Sequence, residues 1–282
     1  MRKHWTTLGE RRAPYLKWNG SGSAIHFYGA NGYPSGVYRR LLDELSNTFA
    51  IEALLMRPLW PDPGPTRGVR WSTYGDDLIA FLDGRPPVIG IGHSMGAAAT
   101  LFAAASRPDL FSKVVLLEPA AVPSWMAALS PLVPFALRRR IFQPGKATLR
   151  RTNRWPSRAV FREKIRRWGT LKGLDDAALD DFAAHAVVDT GEGVQLAFPR
   201  EWEAHNYFCP PSLEAPLAKV RCPIFVVRAE ASMFFREPMW ERWARRRPED
   251  TIRKMDGYGH LLPLEAPVEC AAMIRELLRE ET

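Results

Sequence analysis

The 282-residue sequence predicts an α/β fold, with a mostly parallel central sheet flanked by helices and a helical cap inserted between two strands. Apolar runs of strand length alternate with helical patterns over the first 119 residues, as they do in βαβ units. The alternation stops for about a hundred residues and resumes near residue 222. At residues 90–96 a strand pattern passes directly into a helix pattern through a serine between glycines.

The composition is that of a globular protein, with 46% hydrophobic and 25% charged residues. No run approaches the ~18 apolar residues of a membrane-spanning helix, and the first ten residues lack the apolar stretch of a secretory signal. We therefore expect a cytoplasmic protein. Cys209, Cys222 and Cys270 are widely spaced, which indicates neither a disulfide framework nor a zinc site. We expect no metal and no cofactor, and the oligomeric state stays open.

The net charge of +8 comes largely from one segment. Between Arg138 and Lys172 there are thirteen Arg or Lys residues and one acid, Glu163. No nucleic-acid-binding motif accompanies them, so we expect no nucleic-acid partner. The simplest interpretation is a solvated helix surface, and the alternative is weak contact with an anionic substrate or an anionic lipid surface.

Two strands and a glycine-rich loop are predicted near the start of the chain. Apolar residues at 13–18 and 24–28 flank the turn at residues 19–22. The second strand runs into a loop at residues 29–36, and backbone amides at such strand ends contact ligands in open α/β sheets. The next elements are a helix over 38–45, a strand over 49–55, a proline-rich loop over 57–65 and a helix over 71–82.

The central motif is Gly92-His93-Ser94-Met95-Gly96, between a predicted strand at 88–91 and a predicted helix at 97–105. This G-x-S-x-G pattern is typical of a nucleophile elbow, a turn so sharp that side chains at the two glycine positions would collide with backbone. The following helix would point its N-terminus at the serine and favour negative charge there. We predict that Ser94 is a nucleophile, and the alternative is a structural Gly-Ser turn.

A strand over 113–117 ends at Glu118, and the next hundred residues show helical and irregular patterns without clear strands. We interpret residues 120–217 as an inserted helical cap, or lid, called the cap segment below. Residues 1–119 and 218–282 then form the core domain, whose last predicted elements are a strand over 222–227, a helix over 237–245, a strand over 251–255 and a helix over 268–278.

Serine becomes a good nucleophile when a base takes its proton and a carboxylate orients that base. His260 lies in a glycine-rich loop after the last strand, which suits the base, while the alternative is a turn histidine that caps a helix. An acid is expected soon after the strand at 223–228, but Ser232 stands where aspartate is common. The acid is therefore Glu118, which we favour, or Glu230; the alternative for either is an ion pair with an arginine.

The oxyanion hole is expected to use the backbone N–H of Met95 and one N–H from the loop after residue 28. We assign the second donor to Asn31, with its neighbour Ala30 as the alternative. Tyr33, His93 and Trp125 are candidate residues of the substrate pocket. Other aromatic residues of the cap would line that pocket or form the cap's own core; these are Trp155, Phe161, Trp168 and Phe182.

Three stretches resemble the α/β-hydrolase fold: residues 27–34, the motif at 92–96, and residues 259–267. The resemblance covers the chain from about residue 15 to the end, except the cap. Residues 25–34 are similar to a bacterial subgroup of serine esterases and lipases that carry His-Ala-Asn-Gly-Phe-Pro in this loop. Gly29 stands where those proteins have histidine. Arg57-Pro58-Leu59-Trp60 and Leu117-Glu118-Pro119 also resemble that subgroup.

The resemblance bears on the acid and on the reaction. Ser232 is similar to members whose acid lies on the earlier strand, which agrees with Glu118. Some haloalkane dehalogenases of this fold place an acid at the same point, but their nucleophile is aspartate, so Ser94 argues against dehalogenation and epoxide opening.

Together the motifs predict a cofactor-free serine hydrolase that acts on a carboxylic ester of moderate size through an acyl-enzyme. Two alternatives stay open. One is hydrolysis of a thioester, a lysophospholipid or a C–C bond on the same triad, and the other is a hydrolase homologue that binds a ligand without turnover.

Overall fold

A computed structural model describes residues 1–230, 232 and 234–279 of the chain. Glu280 to Thr282, at the end of the range assigned to the core, lie outside the described residues. The strands are β1 (Arg2–Leu8), β2 (Arg11–Trp18), β3 (Ala24–Tyr28), β4 (Ala50–Leu54), β5 (Val88–His93), β6 (Phe111–Leu117), β7 (Arg154–Trp155), β8 (Val187–Asp189), β9 (Val194–Leu196), β10 (Ile224–Ala229) and β11 (Thr251–Met255).

The α-helices lie between these strands and after the last one. They are α1 (Arg39–Ser46), α2 (Trp71–Leu82), α3 (Met95–Ser106), α4 (Ser124–Leu129), α5 (Phe135–Ile141), α6 (Gln143–Arg150), α7 (Arg158–Ile165), α8 (Asp176–His185), α9 (Arg200–Tyr207), α10 (Glu214–Leu217), α11 (Glu237–Arg246), α12 (Leu262–Glu265) and α13 (Pro267–Arg279). No described helix is both long and apolar enough to cross a lipid bilayer.

The central sheet has eight strands in the order β1-β2-β4-β3-β5-β6-β10-β11. The pairs β1·β2 and β2·β4 are antiparallel, and the other neighbours are parallel. This is the mostly parallel central sheet that the sequence predicts. Because β3, β5, β6, β10 and β11 run in the same direction, the loops after their carboxyl ends meet at one edge of the sheet.

Apolar side chains cover both faces of the sheet. One buried cluster packs α1 and α13 against one face and includes Phe27, Ile91 and Leu45. The other packs α2, α3 and α11 against the opposite face and includes Leu78 and Trp240. Every residue of β5 is buried, as expected for a central parallel strand covered on both sides.

The core elements agree closely with the predicted ones, and α2 and β11 have the predicted bounds. The exceptions are β1 and the four-residue helix α12, which were not predicted. This strand lies at the edge of the sheet, and its residues are exposed or half-buried. A strand with no buried face carries no apolar alternation, which explains the omission.

The cap segment contains helices α4 to α10, but it also contains strands, which corrects the expectation that it has none. Strands β7, β9 and β8 form a small antiparallel sheet in that order. These strands are only two or three residues long, too short to give a period-two pattern.

The inner part of the cap segment has an aromatic core of its own. The ring of Phe161 lies 4.6 Å from that of Trp155 and 6.3 Å from that of Phe182, between centroids. Basic residues of the run at 138–172 pair with the acids that follow it. Arg162, for example, pairs with Asp180 at 2.7 Å and with Asp176 at 3.0 Å. Part of the local positive charge is thus neutralised within the cap.

Candidate active site

Ser94 lies at the sharp turn between β5 and α3, with a backbone φ of +54° and ψ of −115°. A Cβ atom on Gly92 would lie 2.4 Å from the carbonyl oxygen of Gly96, and one on Gly96 would lie 2.2 Å from that of Tyr28. Both distances are far below van der Waals contact, so the turn requires glycine at each position. The serine is thereby held at the N-terminus of α3, where the helix dipole favours negative charge.

His260 approaches Ser94 from the loop after β11. Its Nε2 lies 3.0 Å from Ser94 Oγ, and its Nδ1 lies 3.2 Å from Glu118 Oε2. The ring of Phe234 packs edge-on against the imidazole, with 4.6 Å between centroids. Because Nδ1 faces a carboxylate, it carries the hydrogen, and Nε2 is left to accept a proton from the serine hydroxyl.

Glu118 follows the last residue of β6 and is fully buried, with a φ of +43° that is uncommon for a residue other than glycine. Its carboxylate accepts hydrogen bonds from the backbone N–H of Ala229 at 2.6 Å and from the hydroxyl of Ser232 at 2.9 Å, besides the contact with His260. In the described part of the chain, no Arg or Lys forms an ion pair with it. These three donors stabilise the carboxylate in place of a cation.

Glu230, the alternative acid, is exposed, and its carboxylate accepts a hydrogen bond from the N–H of Gly257 at 3.0 Å. The structure therefore brings Glu118, and not Glu230, against His260. Ser232 occupies the position where an acid was expected and donates to Glu118 instead. This bond was not predicted. A serine at the usual acid position, with the acid itself on the neighbouring strand, could have indicated it.

The candidate oxyanion donors are the backbone N–H groups of Met95 and Asn31, and Asn31 lines the same cavity as Ser94. Met95 is the first residue of α3, where N–H groups have no acceptor within the helix. In the loop after β3, the N–H of Ala30 donates to the hydroxyl of Tyr38 at 3.0 Å. Because that donor is already engaged, Asn31 fits the second position better than Ala30.

His93 does not line the cavity above Ser94, which corrects its assignment to the substrate pocket. The side chain is fully buried, and its Nδ1 accepts from the hydroxyl of Tyr38 at 2.7 Å. Its Nε2 donates to the backbone carbonyl of His260 at 2.8 Å. Burial lowers the pKa of His93 well below its usual range, so the ring is neutral. A chain of hydrogen bonds thus links Ala30 to the loop that carries His260.

A cavity of about 300 Å³ lies above Ser94 and His260, between the core and the cap segment. Tyr33 lines it, together with Thr170 and Glu265. Trp125 does not line it and lies in a neighbouring groove with 65% of its surface exposed, which corrects its assignment. The remaining walls are largely apolar and include Trp71, Ala120, Val122, Phe142, Pro144, Tyr207, Pro210, Phe234 and Leu261.

The side chain of Asn31 fastens the cap to the core. It donates to the carbonyl of Glu203 at 2.9 Å and accepts from the amide of Asn206 at 2.9 Å. Asn206 also accepts from the indole of Trp71 and the hydroxyl of Tyr74, both at 2.9 Å. Helix α9 is therefore bonded to the loop expected to hold the oxyanion, a connection that no sequence pattern indicated.

The carboxylate of Glu203 pairs with Arg151 within the cap. Burial raises the pKa of Glu203, and the arginine opposes that rise. Among the residues that the structure describes, no group of three or more His, Cys, Asp or Glu side chains could hold a metal ion.

The chain is similar to known proteins in sequence and in structure. A family model described as the alpha/beta hydrolase family matches residues 20–273. The abhydrolase domain-containing protein AFT2-1 of Alternaria alternata is 26% identical over 234 residues, which cover 69% of this chain and 84% of that protein. The 2-(acetamidomethylene)succinate hydrolase of Mesorhizobium japonicum is 24% identical over 253 residues, or 88% of this chain and 85% of that one.

The likeness in structure covers almost the whole chain. A solved structure of E-2-(acetamidomethylene)succinate hydrolase superposes with a TM-score of 0.82 at 20% sequence identity, covering 98% of both chains. At this level of identity the likeness shows the fold.

Proposed function

This chain belongs to the alpha/beta hydrolase family, and we propose that it is a serine hydrolase that cleaves a carboxylic ester through an acyl-enzyme. Ser94 is the nucleophile, His260 the base and Glu118 the acid of the triad. The backbone N–H groups of Asn31 and Met95 hold the oxyanion. The observation that carries the proposal is the unbroken row of hydrogen bonds from Ser94 Oγ through His260 to Glu118.

In the first half of the reaction, Ser94 Oγ attacks the ester carbonyl while its proton passes to Nε2 of His260. The negative charge that develops on the carbonyl oxygen is stabilised by the two N–H groups and by the N-terminus of α3. His260 then gives the proton to the departing alcohol, and an acyl-serine is left. In the second half, water attacks the acyl group with His260 as base, which releases the acid and restores Ser94.

Glu118 orients His260 and stabilises the imidazolium that forms in each half-reaction. Its burial makes this interaction stronger than it would be in water, because the local dielectric is low. The bonds from Ala229 and Ser232 hold its oxygens in place while the imidazole changes charge. No other acid contacts the ring of His260 among the described residues, which supports the role of Glu118.

The lining of the cavity favours an uncharged substrate. Among its described residues there is no Lys or Arg, and the one carboxylate is that of Glu265. The relative from Mesorhizobium is named for a succinate derivative, which is a dicarboxylate. Two carboxylates would meet no cation here and one like charge, so we propose a neutral ester.

Labelling with a fluorophosphonate probe tests the proposal first. We expect the wild-type protein to be labelled and the Ser94→Ala variant to be unlabelled, because the probe reacts only with an activated serine. Turnover of p-nitrophenyl butyrate should fall by roughly 10³-fold or more in the same variant. Absence of both labelling and turnover in the wild type would contradict the proposal and favour ligand binding without catalysis.

A further inference from the structure

A second hollow lies beside the catalytic cavity, under the outer cap segment, by which we mean residues 124–141. It has a volume of about 230 Å³. Its walls include Trp125, Met126, Leu129, Val133, Ile141 and Phe208. We call it the cap groove.

The charged residue that borders the cap groove is turned towards the protein. The guanidinium of Arg138 donates to the carbonyl of Phe208 at 2.9 Å and to the hydroxyl of Ser130 at 3.2 Å. It also lies over the ring of Phe135, 5.3 Å from the centroid. With this group engaged, the surface that the groove offers to a ligand is apolar.

The cap groove and the catalytic cavity share a wall. Val122, Phe142, Tyr207 and Pro210 line both spaces, and none of them carries a charge. The groove therefore adjoins the cavity at its apolar side.

Other residues of the cavity lining are polar and do not border the groove. Thr170 and Glu265 are two of them, and the carboxylate of Glu265 accepts from the N–H of Gly259 at 2.8 Å. Tyr33 is near both, and burial raises the pKa of its phenol, which therefore stays protonated. An ester with one apolar and one polar half would match this distribution.

The outer cap segment also leaves apolar side chains in water beside the groove. Leu129 is 52% exposed and Ile141 59% exposed, and neither α4 nor α5 has a buried residue. Exposed apolar groups that border a hollow commonly mark a ligand groove. A bound alkyl chain would remove part of this surface from water.

We propose that the cap groove binds the unbranched acyl chain of the substrate, which extends from Ser94 past Phe142 and Tyr207 to Leu129. The inference rests on the proposed esterase function and names its substrate class, an ester of a medium- or long-chain fatty acid. The alcohol half then lies towards Thr170 and Glu265. Each methylene buried in the groove should raise kcat/KM about threefold to fourfold.

The test is a chain-length series of p-nitrophenyl esters, from acetate through butyrate and octanoate to laurate, below the concentration at which they form micelles. Wild-type kcat/KM should increase along the series. In Leu129→Arg the roughly two to four methylenes that would contact position 129 should lose their gain, so the ratio of kcat/KM on laurate to that on acetate should fall by roughly 10–200-fold. Leu132→Arg is the matched control, because Leu132 is in the same segment and 76% exposed but does not line the groove.

The outcomes separate this inference from the proposed function. Normal acetate turnover with no rise towards laurate would overturn the acyl groove and leave the esterase proposal standing. Equal losses in Leu129→Arg and Leu132→Arg would also overturn it, since they would indicate that the segment meets an extended lipid surface instead.

If no ester is turned over, a direct binding measurement still tests whether the cap groove holds an acyl chain. Calorimetry of methyl laurate, a neutral ester, with the Ser94→Ala variant should show binding that the added Leu129→Arg change abolishes and the added Leu132→Arg change retains. Absence of methyl laurate binding to Ser94→Ala would overturn the inference.

Discussion

The catalytic cavity and the neighbouring cap groove are built in opposite ways. On the core side, Ser94, His260 and Glu118 are joined by hydrogen bonds, and the side chain of Glu118 is fully buried. On the cap side, the outer cap segment has no buried residue in α4 or α5 and presents apolar side chains to solvent. The catalytic groups are held in place by hydrogen bonds and burial. Helices α4 and α5, which border the cap groove, are exposed to solvent instead.

This difference separates what the reaction needs from what the substrate needs. Proton transfer requires heavy atoms about 3 Å apart in a set orientation, and only a bonded, buried arrangement keeps them so. Contact with an alkyl chain requires apolar area and tolerates movement. Substitutions on the core side should therefore act on kcat, and those on the cap side on substrate preference.

The largest effect is expected at the triad acid. Glu118→Gln places an amide N–H against His260 Nδ1 or Ser232, so the imidazole loses its orienting acceptor and its charge partner, and kcat should fall by roughly 10³–10⁴-fold. Glu230→Gln is the matched control and should change kcat less than about twofold. Steady-state kinetics on p-nitrophenyl butyrate would measure both. An unchanged kcat in Glu118→Gln would contradict the expected difference between the catalytic triad and the outer cap segment.

The next effect concerns stability in acid. It should not act through the outer cap segment, which contains no histidine. Burial, followed by the nearby charge of Arg85, lowers the pKa of His26 from 6.5 to about 3. Since the unfolded chain binds this proton more readily, the stability is present above about pH 6.5 and is lost as the pH falls towards 3.

For His26 alone, the free energy of unfolding should decrease by about 1.4 kcal/mol for each pH unit lost in that window. The lowered pKa of His93 acts in the same direction. Urea denaturation at pH 7, 6 and 5 measures the slope. His26→Gln keeps an acceptor for the N–H of Leu54 but does not titrate. Its free energy of unfolding should therefore fall less steeply with decreasing pH, by up to about 1.4 kcal/mol per pH unit. Equal slopes in both proteins would contradict this assignment.

A smaller effect is expected at Ser232, which acts on the reaction through Glu118. Ser232→Ala removes one of three donors to that carboxylate, so kcat should fall about tenfold. KM should not change, because Ser232 does not line the cavity. Ser232→Thr retains the hydroxyl and should restore kcat. A rise in KM, or the same loss in both variants, would mean that Ser232 only shapes its loop.

The smallest effect is expected in the outer cap segment. Leu132→Ser and Leu137→Ser replace exposed apolar side chains, 76% and 45% exposed, and should change the free energy of unfolding by less than about 0.5 kcal/mol. Thermal or urea denaturation would measure this. A loss above about 1 kcal/mol would show that the segment packs as firmly as the core.

Most of the core could be predicted from the sequence because its signals are local. The helix over Trp71–Leu82 is amphipathic and ends before a proline pair, and the strand over Thr251–Met255 is bounded by turn residues. Strand β1 and the short strands of the cap could not be predicted, since their pairing partners, and not their own patterns, make them strands.

The candidate site divides in the same way. Ser94 is indicated by its glycines and His260 by its loop and chain order, so both were accessible from the sequence. The bond from Ser232 to Glu118 and the bonds from Asn31 to α9 join residues more than a hundred positions apart. His93 is a predicted pocket residue, but its side chain is fully buried and is bonded to Tyr38 and to the backbone of His260.

The Glu118–Ser232 bond suggests how the acid of a triad can move from one strand to the next during evolution without loss of activity. Ser232 follows β10 and donates to Glu118, which follows the adjacent strand β6 and contacts the imidazole of His260. A descendant with aspartate at 232 would hold a carboxylate at both, with a proton shared between them. Either acid could then be lost by mutation while the other continued to serve, and selection would never have to tolerate an inactive ancestor.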